Sequence, residues 1–255
     1  MQCFDVANQG GQLPADLDGT TPPPSGSPAF LLNFGLDRLN LWKLKIDWTD
    51  PKKSTLSGPS VIPVPTFDPA CGNVGTCITQ KDSTQKLDSL GDRLMYRLAY
   101  RNFGDHDSAV VNHSVQVGDH AGLRWYELRN IGTTPVVHQR GTYAPDSSHR
   151  WMGSAAMDKA GNILIGFSES GSGTFPSIRI TGRSAGDPLH TLATEFKAID
   201  GTESQMADRW GDYTSMSMDP TDDCTFWFTA QYLDKATPGN GWHTYVAKTK
   251  FKTCR

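Results

Sequence analysis

The sequence predicts an all-β fold, a β-propeller of about four four-stranded blades, and three observations predict it. Short alternating runs rich in Val, Ile, Thr, Tyr and Trp are separated by Gly, Pro, Asn and Asp, and helical periodicity is nearly absent. Arg93, Arg150 and Arg209 each follow Asp or His and precede Leu or Trp, at spacings of 57 (150 − 93) and 59 (209 − 150) residues. Each arginine opens a block that divides into similar strands, and four strands in about 50–60 residues is the rhythm of propeller blades. A single blade cannot bury both its faces; blades packed face to face around an axis bury them in series. A β-sandwich is the main competitor, and it leaves the rhythm unexplained.

The elements follow in order. MQCFDVA (1–7) reads as a strand that completes a blade, in the way propellers close their ring. A first, less regular blade (about 10–67) contains AFLLNFG, LNLWKLKIDW and SGPSVIPVPTF. The second (about 92–145) gives DRLMYRLAYRNF, SAVVNHSVQV, GLRWYELRN and TPVVHQRGTY. The third (about 150–200) gives WMGSAAMD, NILIGFSES, SIRITGR and TLATEFKAI. The fourth (about 209–255) gives YTSMSMD, CTFWFTAQYL and WHTYVAKTKF and stops one strand short. Small residues in MGSAAMD and YTSMSMD suit inner strands crowded near the axis, while CTFWF and NILIGF suit second strands wedged between blades. The ring is either compact and four-bladed or an arc with open faces. An arc exposes apolar faces and unpaired edges, so a homo-oligomer is expected.

The 255 residues are 37% hydrophobic and 20% charged, enough for a sizeable core, and no run approaches the ~18 apolar residues of a spanning helix. With a net charge of −3 and a pI near 6.1, no basic field favours nucleic acid. Dinucleotide, phosphate-loop and Ser-elbow motifs are absent. No membrane or nucleic-acid partner is expected. Five cysteines lack zinc spacing: Cys71 and Cys77 bracket the loop CGNVGTC, and Cys224 and Cys254 flank the last strands. Two disulfides imply an oxidising compartment, so the parent protein is expected to be secreted or periplasmic. The first residues show no signal-peptide pattern. Cys3 is left over, either free or with its partner upstream in a longer chain of which this is the C-terminal part.

MDKAGNILIGF and MDPTDDCTFWF each place an Asp-led turn between two strands, with aromatics in the strand that follows. In this the chain resembles bacterial secreted β-propellers of the sialidase-like, Asp-box-containing superfamily, loosely and over most of residues 90–255. The resemblance implies that Asp158, Asp219, Asp222 and Asp223 serve turn structure, as Asp does by bonding its own backbone. It also implies arginines near the axis that hold a substrate carboxylate, an acid for proton transfer and a Tyr-Glu nucleophile. No clear Tyr-Glu pair is present here.

Candidate catalytic residues are therefore Arg93, Arg150 and Arg209, converging at the mouth where inner strands begin, with Asp212, Tyr213 and Glu169 in neighbouring loops. Three guanidiniums there would grip a carboxylate or phosphoryl group bidentately. The alternative has each arginine clamp blade to blade through Asp92, Asp208 or Asp212. Candidate metal ligands, for Ca²⁺ or another divalent ion, are Asp92, His149, Asp208 and Asp212. His113, Asp119, His120 and His243 are further polar groups on that face, while Asp105, His106 and Asp107 form a solvated turn on the opposite one. Three functions fit: a hydrolase at the axial funnel, acting on glycans or as a metal-assisted ester, lactone or phosphotriester hydrolase; a non-catalytic glycan- or protein-binding propeller; or a structural domain.

Overall fold

The computed structural model describes residues 2–6, 9–72, 75–236 and 241–255, and the expected all-β propeller forms. Blade 1 comprises β2 (Ala29–Gly35), β3 (Arg38–Lys45) and β4 (Thr55–Pro63), preceded by β1 (Leu13–Asp18). After a small hairpin, β5 (Thr76–Ile78) and β6 (Leu87–Asp88), blade 2 follows as β7 (Met95–Asn102), β8 (Asp107–Val117), β9 (His120–Arg129) and β10 (Val136–Tyr143). Blade 3 is β11 (His149–Met157), β12 (Ile163–Gly171), β13 (Thr174–Arg183) and β14 (Phe196–Ile199). Blade 4 is β15 (Ser215–Met218), β16 (Thr225–Leu233) and β17 (Trp242–Lys250). Within each blade, consecutive strands pair antiparallel as a meander.

Period-two patterning builds the faces. In β16, Phe226, Phe228 and Ala230 point into the same core as Ile178 and Ile180 of β13, while Thr229 and Gln231 turn the other way. A Cβ on Gly166 would fall 2.5 Å from the Phe228 ring, so glycine lets blades 3 and 4 close up. One core joins blades 1 and 2, another joins blades 2 and 3, and a third joins blades 3 and 4. Among the described residues no core combines side chains of blades 1 and 4. The outer face of blade 4 accordingly leaves Trp242 and Val246 exposed.

Two expectations about the ends change. Residues 2–6 form no strand, and residues 1 and 7 lie outside the described residues. The strand near the N-terminus is β1, and it does not complete blade 4: its start pairs antiparallel with β2 and its end runs parallel to β7. Charge fixes it there, since buried Arg97 of β7 holds Asp16 at 2.6 Å and Asp18 at 2.7 Å and also donates to the Met216 carbonyl of β15. Arg101, on the same face of β7, binds Asp223 bidentately at 2.6 Å and donates to the Met157 carbonyl. These two buried arginines tie blade 2 to blades 3 and 4, the clamping role expected of the block-leading arginines.

The disulfides form as expected, Cys71–Cys77 and Cys224–Cys254, which places the folded chain in an oxidising compartment, extracellular or periplasmic. Residues 73 and 74 of the first loop lie outside the described residues. Cys3 is free and exposed. Among the described residues no helix is long and apolar enough to cross a membrane.

Candidate functional site

The mouth of the propeller, where inner strands begin, is filled. Ile78 and Leu87 of the β5–β6 hairpin pack with Ala70, Trp151, Met152 and Trp210 in one buried cluster. The Trp151 indole donates to the Asp88 carbonyl at 3.2 Å, the Asp88 amide donates to the Asp208 carbonyl, and the Trp210 indole donates to the Ser168 hydroxyl at 3.0 Å. The expected axial funnel is thus a plug of apolar side chains and satisfied backbone.

This packing explains why the three arginines do not converge. Neighbouring side chains along an extended strand point to opposite faces. Trp151 takes the plug, so Arg150 points away, across to its strand partner Glu169. There Arg150 is buried and caged by carboxylates: Asp146 bidentately, Glu195 at 2.7 Å and Glu169 at 3.7 Å. Burial opposes its charge, yet the hydrogen bonds it donates to Asp146 and Glu195 hold it well above the ordinary guanidinium range. Glu169 also pairs with Arg179 at 2.7 Å, so this candidate catalytic carboxylate stands as a counter-ion between two arginines. Arg93 lies in the loop before β7 and is engaged by its neighbour Asp92 at 2.8 Å on the surface. The hydrogen bond to Asp92 raises the Arg93 pKa and lowers that of Asp92. Arg209 is exposed and held by Asp212.

The metal candidates also stay apart. His149 is buried with both nitrogens engaged: Nδ1 accepts from the Ala121 amide at 3.0 Å, and Nε2 faces the Thr79 hydroxyl at 3.1 Å. Burial holds it neutral, with its pKa pushed down to about 4. Asp92 serves Arg93, Asp212 serves Arg209, and Asp208 is exposed. Among the described residues no three His, Cys, Asp or Glu side chains gather as a metal site. His113 is fully buried against Phe34, Phe67 and Tyr126 and is held neutral, its pKa pushed down to about 3 by burial. His120 pairs with Asp119, and His243 lies 3.6 Å from Asp234.

The Asp-led turns behave as the resemblance implies. Asp158 accepts from the amides of Ala160 and Asn162, Asp219 from Thr221 and the Trp227 indole, and Asp222 from the amides of Cys224 and Thr225. Asp223 differs, since its carboxylate is the partner of Arg101. In the turn expected to be solvated, Asp107 instead caps the amides of Ile131 and Gly132, and His106 stacks on Phe103.

What the structure does bring together is Arg209, Asp212 and Tyr213, at the strand-start rim of blade 4. They line a cavity of about 460 Å³ with Trp210 and Trp242. The local chain makes this geometry. Gly211 has φ +67°, and a Cβ there would sit 3.1 Å from Met152, so the loop turns tightly over β11. The Thr214 amide and hydroxyl both bond back to the Gly211 carbonyl. The turn buries Trp210 and throws Tyr213 outward, 91% exposed. Trp242 stands opposite at the start of β17, 58% exposed. Gln205, anchored by reciprocal bonds with Gln80, lines the wall with Thr229, Gln231 and Thr244. Asp212 gives one carboxylate oxygen to Arg209 while its Oδ1 is buried with no partner. Sequence reasoning missed the wall; the signal was the outward set of β16 and β17, Thr229, Gln231, Trp242 and Thr244, which alternates with the core residues.

No protein-family model matches the sequence, and no curated protein matches it. Among solved structures, the GH43 endo-arabinanase from Bacillus licheniformis is similar to this chain with a TM-score of 0.42 and 10% sequence identity, over 96% of this chain and 74% of that one.

Proposed function

We propose that this propeller is an extracellular or periplasmic glycan-binding module that seats a sugar at the rim of blade 4. The observation that carries the reading is the pair of exposed aromatics, Tyr213 and Trp242, on an open cavity of about 460 Å³ whose wall also offers the amides of Gln205 and Gln231, the hydroxyls of Thr214, Thr229 and Thr244, and the charged Arg209 and Asp212. A sugar ring offers an apolar C–H face and a rim of hydroxyls, which match an aromatic platform and convergent polar groups. Binding stands ahead of catalysis because hydrolysing a glycosidic bond takes two carboxyl groups across it, and among the described residues the cavity wall carries one, Asp212. The sialidase-like and metal-assisted variants lose support with their residues dispersed.

A second reading, glycoside hydrolysis, rests on Asp212 itself. Its partnerless buried Oδ1, beside a guanidinium, is an acid positioned at the cavity wall.

Titration calorimetry against soluble polysaccharides tests both. Tyr213→Ala and Trp242→Ala should each weaken binding about tenfold or more at unchanged melting temperature, as truncated aromatic anchors do. Absence of binding across neutral and acidic glycans would overturn the proposal. Reducing-end release that vanishes in Asp212→Asn while binding persists would establish the second reading. Light scattering of the same samples reports the self-association expected from the open face of blade 4, and a monomer at micromolar concentration removes it.

A further inference from the structure

At the opposite end of the sheets, a second cavity of about 220 Å³ lies between blades 2 and 3. Its wall combines the turn after β7, the ends of β9 and β13, the start of β10 and the β11–β12 turn. The polar groups are unbalanced in sign: among the described lining residues Arg129, Lys159 and Arg183 are cationic, His106 and His138 are titratable, and Glu127 is the one carboxylate, with Asp187 a further charge near Arg183.

That carboxylate is fully committed. Glu127 is buried and accepts from Ser108 at 2.9 Å, from Arg129 at 2.8 Å and from Gln139. Burial alone would raise its pKa, but these donors outweigh it and hold Glu127 below its ordinary value. Glu127 therefore pairs directly with Arg129 and, like Asp187, acts on Arg183 only as a more distant charge. Arg183 is 2% exposed, forms no ion pair among the described residues, and donates through Nη2 to the Asp187 carbonyl at 2.6 Å. Its Nε is buried with no partner. A buried guanidinium with an idle donor is costly unless something anionic completes it.

We propose that this crevice binds a phosphate or sulfate group, with Arg183 as the buried anchor, Lys159 as the mobile point charge at the rim and Arg129 as the third cation. Guanidinium and ammonium donors arriving from separate elements suit the several oxygens of a tetrahedral oxyanion. Phe103, Met157 and Leu189 give the rim an apolar side that would receive the organic part of an ester. This site is separate from the blade 4 cavity and does not depend on how that cavity is used.

The test is thermal unfolding and calorimetry of the whole chain with sodium phosphate or sodium sulfate, against sodium chloride at matched ionic strength. A second arm uses glucose 6-phosphate and glucosamine 6-sulfate. The wild-type melting temperature should rise with the oxyanions beyond the chloride control. If the esters bind at least tenfold more tightly than the free ions, the natural ligand is the ester; equal affinity makes it the ion. Arg183→Met should weaken binding tenfold or more without lowering the melting temperature in chloride, because it removes a buried charge that forms no direct ion pair among the described residues. A merely structural Arg183 would instead lower that temperature and leave oxyanion binding intact. Lys159→Glu, at an exposed position, should abolish binding even if Arg183→Met fails to fold. No oxyanion-specific rise in the wild type, or full binding in Lys159→Glu, would overturn the proposal.

Discussion

His149–Arg150–Trp151 heads blade 3 and Asp208–Arg209–Trp210 heads blade 4, yet of the shared residues only the tryptophans behave alike. Both indoles are buried, 6.4 Å apart between ring centroids, and both fill the plug. The arginines diverge. The Arg150 side chain is 2% exposed in its carboxylate cage, while that of Arg209 is 69% exposed with one carboxylate. The difference follows from neighbours: among the described residues blade 3 is covered on both faces, by blades 2 and 4, whereas blade 4 is covered on one. An identical dipeptide thus holds its arginine in a carboxylate cage where it is enclosed and leaves it at the surface where, among the described residues, no further blade packs on it.

The largest expected effect separates the two arginines through stability. Arg150→Ala leaves Glu195 without its buried cation and Glu169 with Arg179 alone, and breaking a buried pair costs about 3–5 kcal/mol. Urea denaturation should show the midpoint falling accordingly. A loss below about 1 kcal/mol would mean the cage is no stronger than a surface ion pair.

The contrast also marks what could be read from the sequence. Alternation and the repeat rhythm gave the strands of blades 2 to 4, because period-two burial is written directly in the residues. The fate of the arginines was not legible, because it depends on which face each strand turns to its neighbour. Arg97 and Arg101 were passed over although Arg97, Ala99 and Arg101 share one face of β7. Their carboxylate partners, Asp18 and Asp223, lie 79 and 122 residues away in sequence. The plug was invisible for the same reason: Ile78 and Leu87 sit in a short irregular insert whose destination no local pattern specifies. In the cavity, Arg209, Asp212 and Tyr213 were found because they cluster within five residues, while Gln205 and Thr244 come from separate elements.

An intermediate effect distinguishes the residues before the arginines. His149 is buried and held neutral, its pKa pushed down to about 4 from an ordinary value near 6.5. Between those values the unfolded chain binds more protons than the folded one, so stability falls as pH drops from about 6.5 to about 4. The full decline for this one residue is roughly 2–4 kcal/mol. Buried His113 acts in the same direction and extends the decline toward pH 3. His149→Gln should flatten part of the slope in denaturation midpoints measured across pH 4–7. An unchanged slope would show that His149 keeps its ordinary affinity for protons in the fold.

The smallest expected effect is at Arg209. Its ion pair with Asp212 lies at the surface on the arginine side, where such pairs contribute little, so Arg209→Ala should leave the denaturation midpoint nearly unchanged. The same substitution leaves Asp212 with neither oxygen ion-paired at the wall of the blade 4 cavity. Denaturation and glycan titration of this one variant therefore pull apart: unchanged stability with altered binding places Arg209 on the ligand side of the comparison. A stability loss approaching that of Arg150→Ala would make the two heads equivalent after all, with the open rim of blade 4 as firmly clamped as the enclosed start of blade 3.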